Sequence, residues 1–237
     1  MHVQARPYAF PHDLSFDPRT TALIIIDMQR EFCEVGGYLT ESQGYPTPLR
    51  ATIAPIKSLL TAFRAAEFPV YFTREGHRPD LSTLSSRELT RSYIRTGKGI
   101  GDDGPLGRFL VRGEPGHNII PELAPLENEP IVDKPGRSAF AHTDLELMLR
   151  IRGIRNLVLV GVTTDVCVHT TMREANDRGF DVCLVEDATE AGTKELHKAS
   201  VASVLEEGGI FGCVTTTKAL MVALATSGDG GRHDDDS

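Results

Sequence analysis

Six short apolar runs alternate with segments of helical periodicity, and this alternation restricts the chain to very few architectures. The first run, TALIIIDMQ from Thr21, is continuous and isoleucine-rich. A strand covered on both faces reads this way, as in parallel sheets. A helical pattern follows, with Ile53, Ile56, Leu60 and Phe63 on one face. FPVYFT, ending near Thr73, is the second run, and EPIVDKPG carries the third, ending at Lys134. Thr143 and Glu146 form a capping-box pattern opening the helix TDLELMLRIRG. NLVLVGV, the helix DVCVHTTMREANDRG stopped by Gly179, FDVCLVED, KELHKASVASVLEEGG, IFGCV and TKALMVALA complete the series. The spacing predicts an α/β fold, a doubly wound three-layer α/β/α sandwich around a six-stranded, mainly parallel sheet.

One domain is expected over 18–226, with an N-terminal extension at 1–17 and a disordered, acidic C-terminal tail at 227–237. The segment 74–118 is rich in Gly, Arg and Ser and lacks strong periodicity; it reads as excursion loops with a short helix over the active site. With 33 acidic against 25 basic residues and no basic patch interleaved with aromatics, nucleic acid is not an expected partner. No signal-peptide pattern or membrane-length apolar run is present, so no membrane role is expected. The four cysteines are widely spaced, which suits a reducing, cytoplasmic setting.

In open parallel sheets, ligands bind beyond the carboxyl ends of the strands. That rule selects Asp27 after the first run, Lys134 at the end of the third, and Cys167 at the start of the helix after the fourth. Each has a plain alternative: Asp27 as a turn or cap residue, Lys134 as a surface cation, Cys167 as a packed thiol. Cys183 and Cys213 fall inside strands, and like Cys33 they read as core. The coincidence of three reactive types at three strand ends favours chemistry. A thiol at a helix start near an ammonium is expected to titrate below its free value of ~8.5. A neighbouring carboxylate would accept its proton and return it to a leaving amine. Backbone N–H groups of Thr163 and Cys167 would hold an oxyanion. The set describes acyl transfer to cysteine followed by hydrolysis.

The stretches ALIIIDMQREF (22–32), IVDKPGRSAF (131–140) and GVTTDVCVHTTMREANDRGF (161–180) resemble the isochorismatase-like cysteine hydrolases, over roughly residues 18–225. The resemblance implies Asp27, Lys134 and Cys167 as the catalytic triad, a cis peptide before Thr163, and a homotetramer. GGYLTESQGY (36–45), TREGHRPDLS (73–82) and 97–123 most resemble the biuret-hydrolysing branch. A small ureido amide is therefore the implied substrate: biuret cleaved to allophanate and ammonia, with an N-carbamoyl amino acid or ureidoacrylate as the alternative. A silent scaffold of the same fold would be expected to lack a triad member, and none is missing. Phe32, Arg74, His77, Phe140 and Glu207 are candidate pocket residues. Glu207 stands where that branch carries a glutamine, and an ionised glutamate can only accept hydrogen bonds. No cofactor is expected. TREGHRPD supplies His77, Asp80 and Glu75 but not the Asp-plus-two-His set of the zinc-binding nicotinamidases, so no metal is expected either.

Overall fold

The computed structural model describes residues 1–47 and 49–227. Strands and helices alternate as β1 (Thr21–Ile26), α1 (Ile53–Ala65), β2 (Val70–Glu75), α2 (Ser86–Ser92), β3 (Ile131–Lys134) and α3 (Leu145–Ile151). β4 (Asn156–Val162), α4 (His169–Asp177), β5 (Asp181–Glu190), α5 (Lys194–Leu205), β6 (Cys213–Thr215) and α6 (Thr217–Ser227) follow. The six strands form one sheet in the order β3-β2-β1-β4-β5-β6, and every neighbouring pair is parallel. The antiparallel component left open by the sequence occurs instead in a separate two-stranded hairpin, Asp103–Gly104 with Gly107–Arg108.

Alternation of side chains along each strand divides the core into two layers. Leu23 and Ile25 of β1, with Val158 and Val160 of β4, pack against Ile56, Leu59 and Phe63 of α1 and Leu220 of α6. Ala22, Ile24 and Ile26, with Leu157 and Leu159, pack on the opposite face with Leu149 of α3, Met172 of α4 and Val204 of α5. All six β1 residues are buried, which explains the unbroken apolar run. Residues before Thr21 extend this core. Val3, Phe10 and Phe16 are buried in the first layer, and Arg6 bridges Val214 at the β6 edge.

Two local expectations fail for identifiable reasons. The Thr143–Glu146 capping box does not form: α3 starts at Leu145 with Asp144 as its uncapped N-cap. The Thr143 hydroxyl instead donates to Ala139 O at 2.5 Å, holding the preceding turn. The helix read from Asp165 opens as a π-helical turn, Thr164–Val168, before α4 begins. Of the tail expected to be disordered, residues 228–237 lie outside those described. Among the described residues, no helix is long and apolar enough to cross a membrane.

The strand order reverses direction between β1 and β4, and this switch point is where a parallel sheet opens a crevice. Gly161 makes the close approach possible. Its φ is +113°, and a Cβ there would lie 2.1 Å from Ile26 O. β4 also shifts register against β5 between Leu159 and Gly161. Gly161→Ala meets both a disfavoured backbone region and an immovable carbonyl. It is expected to cost about 2–4 kcal/mol or more, read as a clear fall in melting temperature or loss of soluble protein. A melting curve like that of the wild type would contradict the packing.

Candidate active site

Asp27, Lys134 and Cys167 converge at the switch point, each delivered by the end of a different strand. Asp27 follows β1 directly with φ 51°, a left-handed conformation that aspartate tolerates better than most residues. Its amide N–H is fixed by Thr73 O at 3.2 Å, and the Thr73 hydroxyl donates to its Oδ1 at 2.7 Å. Oδ2 faces Lys134 Nζ at 2.7 Å, and both side chains are fully buried. The ammonium also donates to Gly136 O at 2.9 Å and to Cys167 Sγ at 3.4 Å. Removing one partner from such a buried pair typically costs about 3–5 kcal/mol, because the survivor remains a desolvated charge.

Cys167 sits in the π-helical turn immediately after β4, buried to 5% exposure. The Val162–Thr163 peptide is cis. Among the described residues no acceptor takes the Thr163 N–H, and Thr163 lines the same cavity as Cys167.

A second buried carboxylate, one the sequence reading gave no catalytic place, completes the centre. Glu75 ends β2, two residues beyond the expected strand end. The Cys167 thiol donates to its Oε2 at 3.3 Å, and Lys134 Nζ lies 3.6 Å from the same oxygen. Arg137 donates to Glu75 Oε1 at 2.9 Å and, on its other side, pairs with Glu88 of α2. Arg91 also binds Glu88, at 2.5 Å. Gln29 clamps the Glu75 backbone, accepting from its N–H at 2.7 Å and donating to its carbonyl at 3.0 Å.

Burial and these charges set the protonation states. Burial raises the Cys167 pKa well above its ordinary value, and Asp27 and Glu75 add to the rise against Lys134 and Arg137. The expectation of a thiol more acidic than free cysteine is thereby reversed. Burial of the sulfur, with two carboxylates beside it, outweighs its cations. Burial likewise raises Asp27, against the pull of Lys134. Glu75 behaves oppositely: Arg137 and Lys134, with the thiol hydrogen bond, outweigh its burial and hold it ionised. Lys134 stays charged although burial works against it, because Asp27, Cys167 and Glu75 surround it. These surroundings favour thiol over thiolate at Cys167, and the sulfur is the donor in its contact with Glu75.

A cavity of about 190 Å³ opens above Cys167, with Glu75 and Thr163 in its wall. Phe32, Tyr38, Leu39 and Tyr45 supply apolar surface, and Gln43, Arg91, Arg95 and Arg137 supply donors. Of the candidate pocket residues, only Phe32 lines this cavity. Arg74 is held by Asp133 at 2.7 and 3.0 Å. His77 is buried and borders a neighbouring cavity with Glu88 and Arg137. Phe140 packs on Phe180 in the core, with ring centroids 5.6 Å apart. Glu207 is exposed at φ 51°, outside the cavity wall. Among the described residues, the one group of three potential metal donors is Asp27, Glu75 and Cys167, and the Lys134 ammonium already lies against all three.

The isochorismatase domain profile matches residues 21–219. The ureidoacrylate amidohydrolase RutB of Acinetobacter baylyi is 32% identical over 225 residues, covering 90% of this chain and 87% of that protein. A cysteine hydrolase from Pseudomonas syringae pv. phaseolicola superposes with a TM-score of 0.74 at 28% identity, covering 89% of this chain and 95% of its own. An N-carbamoylsarcosine amidase from Thermoplasma acidophilum gives 0.61 at 26% identity, covering 84% and 96%.

Alkylation of Cys167 should titrate with a midpoint above that of free cysteine. Lys134→Met removes the nearest cation, so the midpoint should move higher still, with about 3–5 kcal/mol of stability lost. An unchanged midpoint would mean the ammonium does not stabilise the thiolate.

Proposed function

The chain belongs to the isochorismatase family, and on that premise we propose that it is a cysteine amidohydrolase acting on small ureido compounds. The observation that carries this reading is a buried thiol hydrogen-bonded to both an ammonium and a carboxylate at the base of a small cavity. Sulfur attacks the carbonyl, and a thioester forms as the C–N bond breaks. The free Thr163 N–H supplies a donor for the oxyanion, and water then cleaves the thioester. The ammonium of Lys134 supports sulfur while it carries negative charge. By family pattern, Asp27 moves the proton. The named relatives act on ureidoacrylate and N-carbamoylsarcosine, which favours a ureido group as the reacting part.

Biuret is our preferred substrate, cleaved to allophanate and ammonia. A cavity of about 190 Å³ suits a compact, planar molecule with many short polar contacts. One observation favours a second reading. Arg91 and Arg137 are both bound to Glu88, but Arg95 has no carboxylate partner among the described residues and lies over the Tyr45 ring. An unpaired guanidinium in the cavity wall suits a substrate carboxylate, as in an N-carbamoyl acid.

Ammonia release from biuret, triuret, N-carbamoylglycine and ureidoacrylate tests the class, and Cys167→Ser should abolish it while the fold survives. Retention of wild-type turnover by C167S would end the covalent reading. Arg95→Gln separates the two substrates. It should raise KM for a carboxylated compound about tenfold or more, from loss of a charged hydrogen bond of about 1.5–3 kcal/mol, and leave biuret unaffected. Equal effects on both would remove Arg95 from substrate selection.

A further inference from the structure

By family pattern Asp27 takes the thiol proton and delivers it to the leaving nitrogen, yet its two oxygens stand in different surroundings. Oδ1 accepts a hydrogen bond of 2.7 Å from the Thr73 hydroxyl. Oδ2 has no directed hydrogen bond, only the ion-pair contact with Lys134 Nζ at 2.7 Å. Thr73 belongs to β2 and is fully buried. It also holds the backbone of Asp27, whose amide N–H lies 3.2 Å from the Thr73 carbonyl and 3.2 Å from its hydroxyl oxygen. A hydroxyl has one proton, and this one has no second acceptor among the described residues.

We propose that Thr73 is a positioning residue for the acid–base step: its hydroxyl keeps Oδ1 occupied, so that Oδ2 is the oxygen that takes up and releases the proton. The proposal rests on the amidohydrolase reading and specifies which atom of Asp27 acts. A proton arriving at Oδ1 would meet the hydroxyl proton, and turning that hydroxyl away would leave it unpaired in the core. At Oδ2 the obstacle can yield. Lys134 Nζ also reaches Gly136 O, the Cys167 sulfur and Glu75 Oε2, at 2.9, 3.4 and 3.6 Å. When the S–H proton passes to Oδ2, sulfur carries the charge that the carboxylate has lost, and the ammonium follows it. Sulfur bonds to the carbonyl carbon, and the charge moves to the carbonyl oxygen. As the C–N bond breaks, the nitrogen takes the proton from Oδ2 and leaves. Water then gives a proton to Oδ2 as it attacks the thioester, the C–S bond breaks, and the proton returns to sulfur.

The titratable groups facing Asp27 come from three elements: Glu75 at the end of β2, Lys134 at the end of β3, and Cys167 in the turn after β4. Carboxylate oxygens of Asp27 and Glu75 and the Cys167 sulfur all lie within 4.8 Å of one another. Burial pushes Asp27 up and Glu75 adds to the rise, while Lys134 and the Thr73 hydroxyl oppose it. The hydroxyl bonds to the ionised carboxylate and favours it, so its removal moves the Asp27 titration to higher pH. Turnover that needs Asp27 ionised is lost as pH falls through that value, and the acidic limb of the kcat/KM profile moves up with it. Valine keeps the β-branched shape at this strand position and deletes the donor.

Thr73→Val and Thr73→Ser make the test, read on biuret or the ureido compound the wild type turns over best. In T73V the acidic limb of kcat/KM should rise by about one pH unit, the effect of one hydrogen bond to a charged group. Its kcat at neutral pH should fall about tenfold or more. T73S keeps a hydroxyl and should return both toward wild type. A residue that only supports the fold would lower activity equally at every pH and leave the limb in place. T73V with a wild-type limb, or T73S with the limb of T73V, would overturn the proposal. If T73V does not fold, Thr73→Ala, which also lacks the hydroxyl and adds no bulk, carries the same expectation. The carbon-13 carboxyl resonance of Asp27, assigned by its loss in Asp27→Asn, gives a readout that needs no turnover. Its midpoint should lie higher in T73V than in wild type, and equal midpoints count against Thr73. A wild type that leaves every ureido compound intact while that midpoint moves would sink the substrate reading alone.

Discussion

The buried ammonium of Lys134 is the interaction on which the site depends. An uncompensated charge with no exposed surface is too costly to keep, so the fold must supply anions and acceptors around it. It does so from four separate places: Asp27 after β1, Glu75 at the end of β2, the Gly136 carbonyl after β3, and the Cys167 sulfur after β4. None of these segments can relax independently, because each satisfies part of the same charge. The arrangement resembles a metal centre built around an organic cation. It shares the logic of such a centre: the ligands come from distant sequence, and the charge in the middle offsets part of the cost of a nearby thiolate.

The sheet makes this convergence possible. Parallel order places every strand's carboxyl end on one edge, and the reversal between β1 and β4 leaves room there for a substrate. Gly161 allows β4 to run against Ile26 at a distance that no side chain would permit. The left-handed backbone at Asp27 then turns its carboxylate back toward Lys134 instead of along the strand axis. The two-layer core holds these strand ends rigidly, since both faces of β1 and β4 are packed.

Much of this was legible in the sequence because it follows from periodicity. Continuous apolar runs separated by helical patterns specify a covered parallel sheet, and Asp27, Lys134 and Cys167 stand out as reactive residues at strand ends. The pocket was harder to read. Glu75 looked like part of a polar loop because strand pairing of Arg74 with Asp133 extends β2 beyond its last apolar residue. Had that extension been read, a carboxylate ending β2 would have joined the other strand-end residues. Arg137 lies inside a quoted motif, but its bonds to Glu75 and Glu88 span 62 and 49 positions, a relation no local pattern encodes. The thiol's acidity was misjudged for the same reason: its sign depends on the balance of burial and four charges, and only two of those charges were visible from strand ends. Glu207 shows the converse, a substitution conspicuous in the sequence that falls on the exposed surface.

Arg137 ties the reaction centre to the helix α2 of the long excursion, with one face of its guanidinium on Glu75 and the other on Glu88. This has an evolutionary consequence. Loops over an active site are usually the parts that drift or are exchanged when a fold acquires new substrates. Here such an exchange carries a condition: the incoming loop must bring an acid to the place of Glu88, or Arg137 loses half its compensation beside the nucleophile. Diversification of this cover is thus coupled to the chemistry below it, and Arg91 and Arg95, which lie on or just past the same helix, can vary more freely than the glutamate that anchors it.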